Sequence, residues 1–317
     1  QVVVSVAAGV PTAFYEANNT AQLAQAQALY ESAMQTAEAR LRKSPADPIA
    51  QEDLARAYSR LGKLLSQAGK LPAAMARIEQ SQALTKKLMA ADPTNSHWQR
   101  NQSVCEYMLG DVLTAAGKLD EATSRYKKSL DLIKKIAAAD PTNPDLQDDL
   151  SVSYNKMGTV LLRVGKVPEA TACFEQALAV IKRLAESDPT NFLWQNSLSA
   201  SYDSLGNVLM AAKQPTEATG AYKKSLTILL KLAEAAPTNS DLQEGLSVSY
   251  GKLGDVLREA GKLPEAADQF EHSLALLNTL VKADPANSAW QSSLSATYRK
   301  LGDVLTRAWK LPAARDR

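Results

Sequence analysis

Apolar residues recur along most of the chain at steps of three and four, the spacing of one face of an α-helix. Between residues 140 and 187 the first such run is Leu146, Leu150, Tyr154, Met157 and Leu161. The second run is Ala170, Phe174, Ala177, Ile181 and Leu184. Gly165 lies between the runs and Pro189 follows the second. Since glycine suits the end of a helix and proline interrupts one, the pattern predicts two helices joined by a short turn.

This two-helix pattern returns every 48 residues, as from Asp92 to Asp140. The tetrapeptide Asp-Pro-Thr-Asn begins at Asp92, Asp140 and Asp188, with variants that begin at Ser44, Ala236 and Asp284. Columns of glycine, glutamine and alanine keep the same register: Gly62, Gly110, Gly158, Gly206, Gly254 and Gly302; Gln51, Gln99, Gln147, Gln195, Gln243 and Gln291; Ala74, Ala122, Ala170, Ala218, Ala266 and Ala314. A fixed period of this length is typical of a solenoid.

The period sets the predicted domain organisation. We expect an apolar N-terminal or cap segment over residues 1–25 and a solenoid over residues 26–317. The solenoid divides into a half repeat, five full repeats and a partial repeat: 26–43, 44–91, 92–139, 140–187, 188–235, 236–283 and 284–317. Breaks between helices are expected near Pro93, Pro141, Pro189, Pro237 and Pro285.

Seven residues of the third repeat, Tyr154, Met157, Gly158, Leu161, Ala170, Phe174 and Ala177, resemble the tetratricopeptide repeat, or TPR, at matching offsets. The usual repeat has about 34 residues, so each helix here should be longer by about two turns. The repeats are similar to the extended ones of kinesin light chains and many bacterial multidomain proteins. The resemblance implies an all-α, right-handed α-solenoid of antiparallel helix pairs, a TPR-like superhelix that binds proteins.

Neighbouring repeats also alternate. One column reads Trp98, Leu146, Trp194, Leu242 and Trp290, and another reads Glu79, Lys127, Glu175, Lys223 and Glu271. The charged column predicts a line of alternating sign along the second helices, which either sets the stacking register or consists of solvated charges.

Two columns predict local consequences. Gly inside a helix needs a packing reason, so the column of Gly158 should mark close helix–helix approach. The turn column of Gly165 contains Lys213 and Trp309 in the fourth and sixth repeats. Because a left-handed conformation is unfavourable for a residue with a Cβ, we expect a different helix ending at Lys213, helped by the displaced Pro215.

Composition and chemistry favour a binding protein over an enzyme. The chain has 317 residues and a net charge of +2, which gives no basic field for nucleic acid. His97, His272, Cys105 and Cys173 have no metal-ligand spacing, and we interpret them as surface histidines and packed cysteines. We predict no catalytic residue, no metal and no cofactor.

By the resemblance, the first helix of each repeat lines a concave groove. The predicted groove residues are Tyr107, Asp111, Asn155, Leu162, Asp203, Asn207, Met210, Asp255 and Asp303. The aspartates predict a peptide or protein ligand that carries Lys or Arg. The opposing hypothesis is that Arg163, Arg258, Arg299 and Arg307 neutralise the groove and make it a surface for self-association.

The predicted function is therefore a non-enzymatic scaffold that binds a peptide or protein segment. The alternative is the sensing or assembly region of a larger, membrane-anchored bacterial signalling or defence protein. Residues 2–14 are nearly uncharged and apolar but shorter than the ~20 residues of a membrane span. They are either the end of a signal or transmembrane segment upstream of Gln1 or a packed cap, and the cellular compartment stays open.

Overall fold

A computed structural model describes the backbone of residues 20–315 and the side chains of residues 25–308. Within that range the chain forms helices and no strand, which confirms the predicted all-α class. The helices are α1 (Thr20–Lys43), α2 (Pro48–Gln67), α3 (Leu71–Ala91), α4 (Ser96–Ala115), α5 (Leu119–Ala139), α6 (Pro144–Arg163), α7 (Val167–Ser187), α8 (Phe192–Ala211), α9 (Pro215–Ala235), α10 (Ser240–Glu259), α11 (Leu263–Ala283) and α12 (Ser288–Arg315).

Each repeat contains a first helix and a second helix. The first helices α2, α4, α6, α8 and α10 have 20 residues, and the second helices α3, α5, α7, α9 and α11 have 21. Consecutive helices pack together along the whole described chain, and the first helices of neighbouring repeats also contact each other. This arrangement is a solenoid of helix pairs with one continuous face formed by first helices.

The loop between repeats is held by the residues that define the period. An Asn or Asp side chain caps each first helix, as where Asn95 accepts a hydrogen bond from the backbone N–H of Trp98. Four glutamines of the column also bind this loop, whereas Gln147 and Gln195 donate to carbonyls at the end of the preceding helix. The Gln99 side chain donates to the carbonyl of Pro93 at 2.6 Å, and Gln291 donates to Pro285 at 2.6 Å. The helix breaks therefore lie at the predicted prolines.

The glycine column allows the two helices of a repeat to approach closely. A Cβ atom at Gly62 would lie 2.6 Å from the side chain of Ile78, and one at Gly158 would lie 2.9 Å from the Phe174 ring. Gly302 differs, because no other helix among the described residues comes within 4 Å of its Cβ position. The predicted packing role is confirmed for the five full repeats: Gly62, Gly110, Gly158, Gly206 and Gly254.

The prediction of a different helix ending at Lys213 is wrong. Lys213 has a φ of 61° and Gly165 a φ of 80°. The hydrogen bonds also correspond: Lys213 N–H donates to the Met210 carbonyl at 3.0 Å, as Gly165 N–H does to Leu162 at 3.1 Å. The helices on either side are positioned by the core, so the turn keeps its geometry and Lys213 adopts the unfavourable conformation.

The first and last helices are the longest of those described. Helix α1 begins at Thr20, and α12 continues through Trp309 without a turn. The interpretation of residues 2–14 falls outside the described residues. Among the helices described, none combines the length and the apolar character that crossing a bilayer requires.

The alternation between repeats has a structural basis at the tryptophan column. The indole N–H of Trp290 donates to Glu244 of the preceding repeat at 2.9 Å, and that of Trp98 donates to Glu52 at 3.3 Å. The second alternating column behaves differently. Glu79, Lys127, Glu175, Lys223 and Glu271 are exposed, and no ion pair joins them in the described part of the chain.

Candidate functional site

A cavity of about 330 Å³ opens on the first-helix face between α4, α6 and α8. It brings together two of the predicted groove residues, Asp111 of α4 and Asn155 of α6, with Lys156 beside them. Because three successive repeats contribute to its walls, the cavity exists only in the stacked solenoid.

Asp111 is held from two directions. Lys156 lies 2.7 Å and 2.8 Å from its carboxylate oxygens, and the Tyr126 hydroxyl donates to Oδ1 at 2.6 Å. Burial raises the pKa of Tyr126, and the negative charge of Asp111 raises it further. The phenol therefore stays protonated and remains a donor, which keeps the carboxylate in one orientation.

Asn155 lines the cavity and has a side-chain acceptor without a donor among the described residues. Its Nδ2 donates to the Ser201 hydroxyl of the next repeat at 3.0 Å. Its Oδ1 is buried and accepts no hydrogen bond from any described residue. A buried acceptor without a donor is unfavourable by about 1–3 kcal/mol, so a ligand N–H that reached Oδ1 would relieve that loss.

Three of the four predicted groove aspartates form ion pairs with lysines. Asp111 pairs with Lys156, Asp203 pairs with Lys252 at 3.0 Å, and Asp255 pairs with Lys300 at 2.6 Å. Arg258 also reaches Asp255, at 3.1 Å. Each carboxylate is thus neutralised by the following repeat. Asp303 alone among the predicted aspartates is exposed and has no ion pair within the described range.

The sequence analysis did not identify the lysines that pair with these aspartates, although their position in the repeat is regular. Lys156, Lys252 and Lys300 each precede the column glycine by two residues. Each ammonium also lies about 6 Å from an aromatic ring: 6.0 Å from Tyr107, 5.7 Å from Tyr222 and 5.9 Å from Phe270. Ser204 occupies this column in the fourth repeat, so the lysine that would contact both an aspartate and an aromatic ring is absent there.

Of the arginines expected to neutralise the groove, one does so. Arg258 pairs with Asp255, whereas Arg163 donates to the backbone carbonyl of Thr114 at 3.3 Å. Arg299 and Arg307 are exposed and form no ion pair with the described residues.

The remaining predicted groove residues are dispersed along the face. Tyr107, Leu162 and Met210 are half-buried and pack against separate apolar clusters. Asn207 is exposed and accepts a hydrogen bond from the Tyr222 hydroxyl at 2.9 Å. These residues give the face alternating polar and apolar contacts rather than a single deep pocket.

The histidines and cysteines have packing or surface contacts. His97 lies 2.9 Å from Glu52, and the His272 ring stacks on Tyr250 with 5.0 Å between centroids. Burial raises the pKa of both Cys105 and Cys173, which keeps them as thiols. No group of three or more metal-ligating side chains occurs in the part of the chain that the structure describes.

Comparisons with known proteins support the fold. The family model described as "Tetratricopeptide repeat" matches residues 150–190, which lie in the third repeat except for the last three. BtubC (BKLC) from P. vanneervenii is 17% identical with a TM-score of 0.63, and the match covers 81% of this chain and 92% of that one. The apo form of RapI is 14% identical with a TM-score of 0.51, covering 86% and 91%.

A third solved structure, a putative kinesin light chain from Podosopora anserina with nearly identical TPR-like repeats, is 21% identical. Its TM-score is 0.48, and the match covers 77% of this chain and 97% of that one. A search of curated proteins by sequence finds no match. The chain has the fold of a TPR-like α-solenoid, as the resemblance implied.

Proposed function

We propose that the chain is a non-enzymatic scaffold that binds an extended polypeptide segment along its first-helix face. The observation that carries the proposal is the cavity between α4, α6 and α8, where the buried Oδ1 of Asn155 lacks a donor. An extended segment supplies a regular series of backbone N–H groups, one of which satisfies this acceptor.

The ion pairs of the face change the expected chemistry of the ligand. A cationic side chain that bound Asp111 would have to displace Lys156, and one that bound Asp203 would have to displace Lys252. The face therefore favours a segment with polar backbone contacts and apolar side chains against Tyr107, Leu162 and Met210. Binding of such a segment should depend weakly on salt, because few unpaired charges are involved.

Site-specific photo-crosslinking tests the position of the ligand. A benzoylphenylalanine at Thr159, which lines the cavity, should crosslink to the partner in cell extract. The matched control places the same group at Lys223, which is exposed on a second helix. Crosslinks of equal strength at both positions, or at Lys223 alone, would contradict binding on the first-helix face.

The charge of the ligand is tested by changing Asp203 and Asp255 together to Asn. If the segment is held by polar and apolar contacts, its affinity should change by less than about threefold and remain insensitive to salt. A cationic ligand would instead lose most of its affinity, and its binding to the original protein would weaken steeply as salt rises.

Two earlier hypotheses remain predictions within this proposal. Self-association through the charge-balanced face would appear as a concentration-dependent mass in sedimentation experiments. A role as the sensing or assembly region of a larger membrane-anchored protein predicts a transmembrane span immediately upstream of Gln1 in the full gene product.

A further inference from the structure

Three polar residues interrupt apolar columns at one boundary, between the first and second full repeats. Gln82 of α3 replaces a leucine that is present in the four later repeats: Leu130, Leu178, Leu226 and Leu274. Gln102 of α4 replaces the leucine of all other repeats: Leu54, Leu150, Leu198, Leu246 and Leu294. Glu106 of α4 replaces a tyrosine: Tyr58, Tyr154, Tyr202, Tyr250 and Tyr298.

The three residues form one buried network. Glu106 is 4% exposed and accepts hydrogen bonds from Gln82 at 2.8 Å, from Gln102 at 3.1 Å and from Arg125 at 3.0 Å. Gln102 is 5% exposed, yet its Oε1 accepts no hydrogen bond from the described residues. Burial of a carboxylate and an unsatisfied amide is unfavourable, so the cluster needs an explanation other than stability.

A cavity of about 500 Å³ adjoins this network between α3, α4 and α5. Its lining comprises Gln102 and Glu106 of α4, Lys86, Met89 and Ala90 of α3, and Lys128, Asp131 and Leu132 of α5. Its size is that of a pocket for a small molecule or a large side chain, which spans about 300–1,000 Å³.

The other repeats show what normally lies at this place. The column tyrosine is covered by a basic side chain from a second helix: Lys134 lies 4.8 Å from the Tyr154 ring, and Lys224 lies 5.4 Å from the Tyr202 ring. Lys86 is the repeat equivalent of Lys134, and Lys128 is the equivalent of Lys224. The second repeat therefore retains both ring-facing lysines while the ring itself is replaced by Glu106.

We propose that this cavity binds an aromatic side chain of a partner polypeptide, a tyrosine or tryptophan, where the other repeats hold their own tyrosine. The hydroxyl or indole N–H of the partner donates to Oε1 of Gln102. Lys86 and Lys128 contact the faces of the ring through cation–π interactions. The site lies between the second helices α3 and α5, beside α4, and shares no lining residue with the cavity on the first-helix face. The test of one site therefore does not depend on the result for the other.

The test uses N-acetyltyrosinamide as the probe and N-acetylphenylalaninamide, which lacks the donor, as its matched control. Each is titrated into the full chain while the side-chain amide signals of glutamine are followed by NMR. We expect a dissociation constant in the millimolar range for the tyrosine probe, as is usual for so small a ligand, with shifts at Gln102. The phenylalanine probe should bind about 3- to 10-fold more weakly because it leaves Oε1 unpaired.

Two variants separate this site from non-specific binding. Gln102→Leu removes the acceptor and keeps the cavity, so both probes should bind equally. Gln82→Leu, Gln102→Leu and Glu106→Tyr together restore the residues of the other repeats, fill the cavity and should abolish binding of both probes while the chain remains folded. Equal affinity of the two probes for the original chain, undiminished binding to the triple variant, or no binding up to about 20 mM overturns the proposal.

Discussion

The third and fourth repeats, residues 140–187 and 188–235, have the same arrangement of two helices although their sequences differ. Their turns show the contrast most clearly, since Gly165 and Lys213 adopt the same left-handed conformation with the same pattern of hydrogen bonds. This conformation has no steric penalty for glycine, whereas it is unfavourable for lysine. The comparison shows that packing between helices, rather than the preference of the turn residue, determines the geometry of a repeat.

The core of the fourth repeat contains a polar contact that the third repeat lacks. Phe174 packs on Gly158, whereas Tyr222 packs on Gly206 and extends its hydroxyl to Asn207 at 2.9 Å. Burial raises the pKa of Tyr222, and the nearby Asp203 and Asp255 raise it further, so the phenol remains a donor. The fourth repeat thus carries a polar contact from its core to the first-helix face without changing the arrangement of its helices.

Replacing Gly158 with leucine should disrupt the packing of the two helices and have the largest effect on the free energy of unfolding. The new side chain would overlap the Phe174 ring, because even its Cβ would lie only 2.9 Å away. We expect a loss of about 2–3 kcal/mol in the free energy of unfolding, after a gain of ~1 kcal/mol from helix propensity is included. Urea unfolding followed by circular dichroism measures the difference.

Gly302→Leu is the matched control, since within the described part of the chain no other helix comes within 4 Å of the Cβ position at Gly302. It should leave stability unchanged or raise it by up to ~1 kcal/mol through helix propensity alone. Equal losses at Gly158 and Gly302 would show that the glycine column is not a packing requirement.

Exchanging the turn residues of the two repeats should have the next largest effect. Lys213→Gly removes an unfavourable φ of 61° and should stabilise the chain by about 0.5–1 kcal/mol. Gly165→Lys should destabilise it by a similar amount with the turn geometry preserved. A destabilised Lys213→Gly variant would mean that the lysine side chain makes a compensating contact.

The fold was predictable from the sequence because packing residues recur in every repeat. Columns such as those of Gly158 and Gln99 identify helix contacts and loops without any knowledge of three-dimensional structure. The turn at Lys213 was predicted wrongly because only the local preference of ~1–2 kcal/mol was considered. The contacts of the two helices on either side of the turn outweigh that preference.

The candidate site was predictable only in part. The resemblance to tetratricopeptide repeats placed Asp111 and Asn155 on one face, and both residues line one cavity. Their partners could not be found in the same way, because the Lys156–Asp111 pair joins residues of different repeats and depends on side-chain length and direction. The exceptional residues Gln102 and Glu106 were visible in the columns, but the cavity beside them follows from packing alone.

Replacing Asp148 with glutamate tests the tryptophan contact at the boundary between the third and fourth repeats. Glu52 and Glu244 accept the indole N–H of Trp98 and Trp290, 46 residues later in each case, and Asp148 is the equivalent partner for Trp194. Its Oδ1 is buried and has no hydrogen bond within the described chain.

Asp148→Glu adds the missing methylene and should stabilise the chain by about 0.5 kcal/mol through a new hydrogen bond to Trp194, because the longer side chain also loses more rotamer freedom. The reverse change, Glu244→Asp, should remove the 2.9 Å bond to Trp290 and destabilise the chain by a similar amount. Thermal unfolding would measure both changes, and an unchanged stability in both variants would contradict the role of this hydrogen bond.

The smallest expected effect comes from giving the third repeat the residue of the fourth at this same column, Asp148→Asn, since Asn196 is its equivalent. Burial raises the pKa of Asp148, the adjacent Asp149 and Asp145 raise it further, and Arg100 opposes them. A carboxyl whose pKa is higher in the folded chain favours folding while it is protonated, and that contribution is lost as the pH rises through the folded pKa. Asparagine stays neutral throughout, so the variant should be more stable than the original at pH 7 by a few tenths of a kcal/mol. The difference should shrink as the pH falls towards ~4, where the unfolded aspartate is also protonated. Urea unfolding at several pH values measures it, and a variant that is less stable at pH 7 would show that the ionised Asp148 is favourably paired with Arg100.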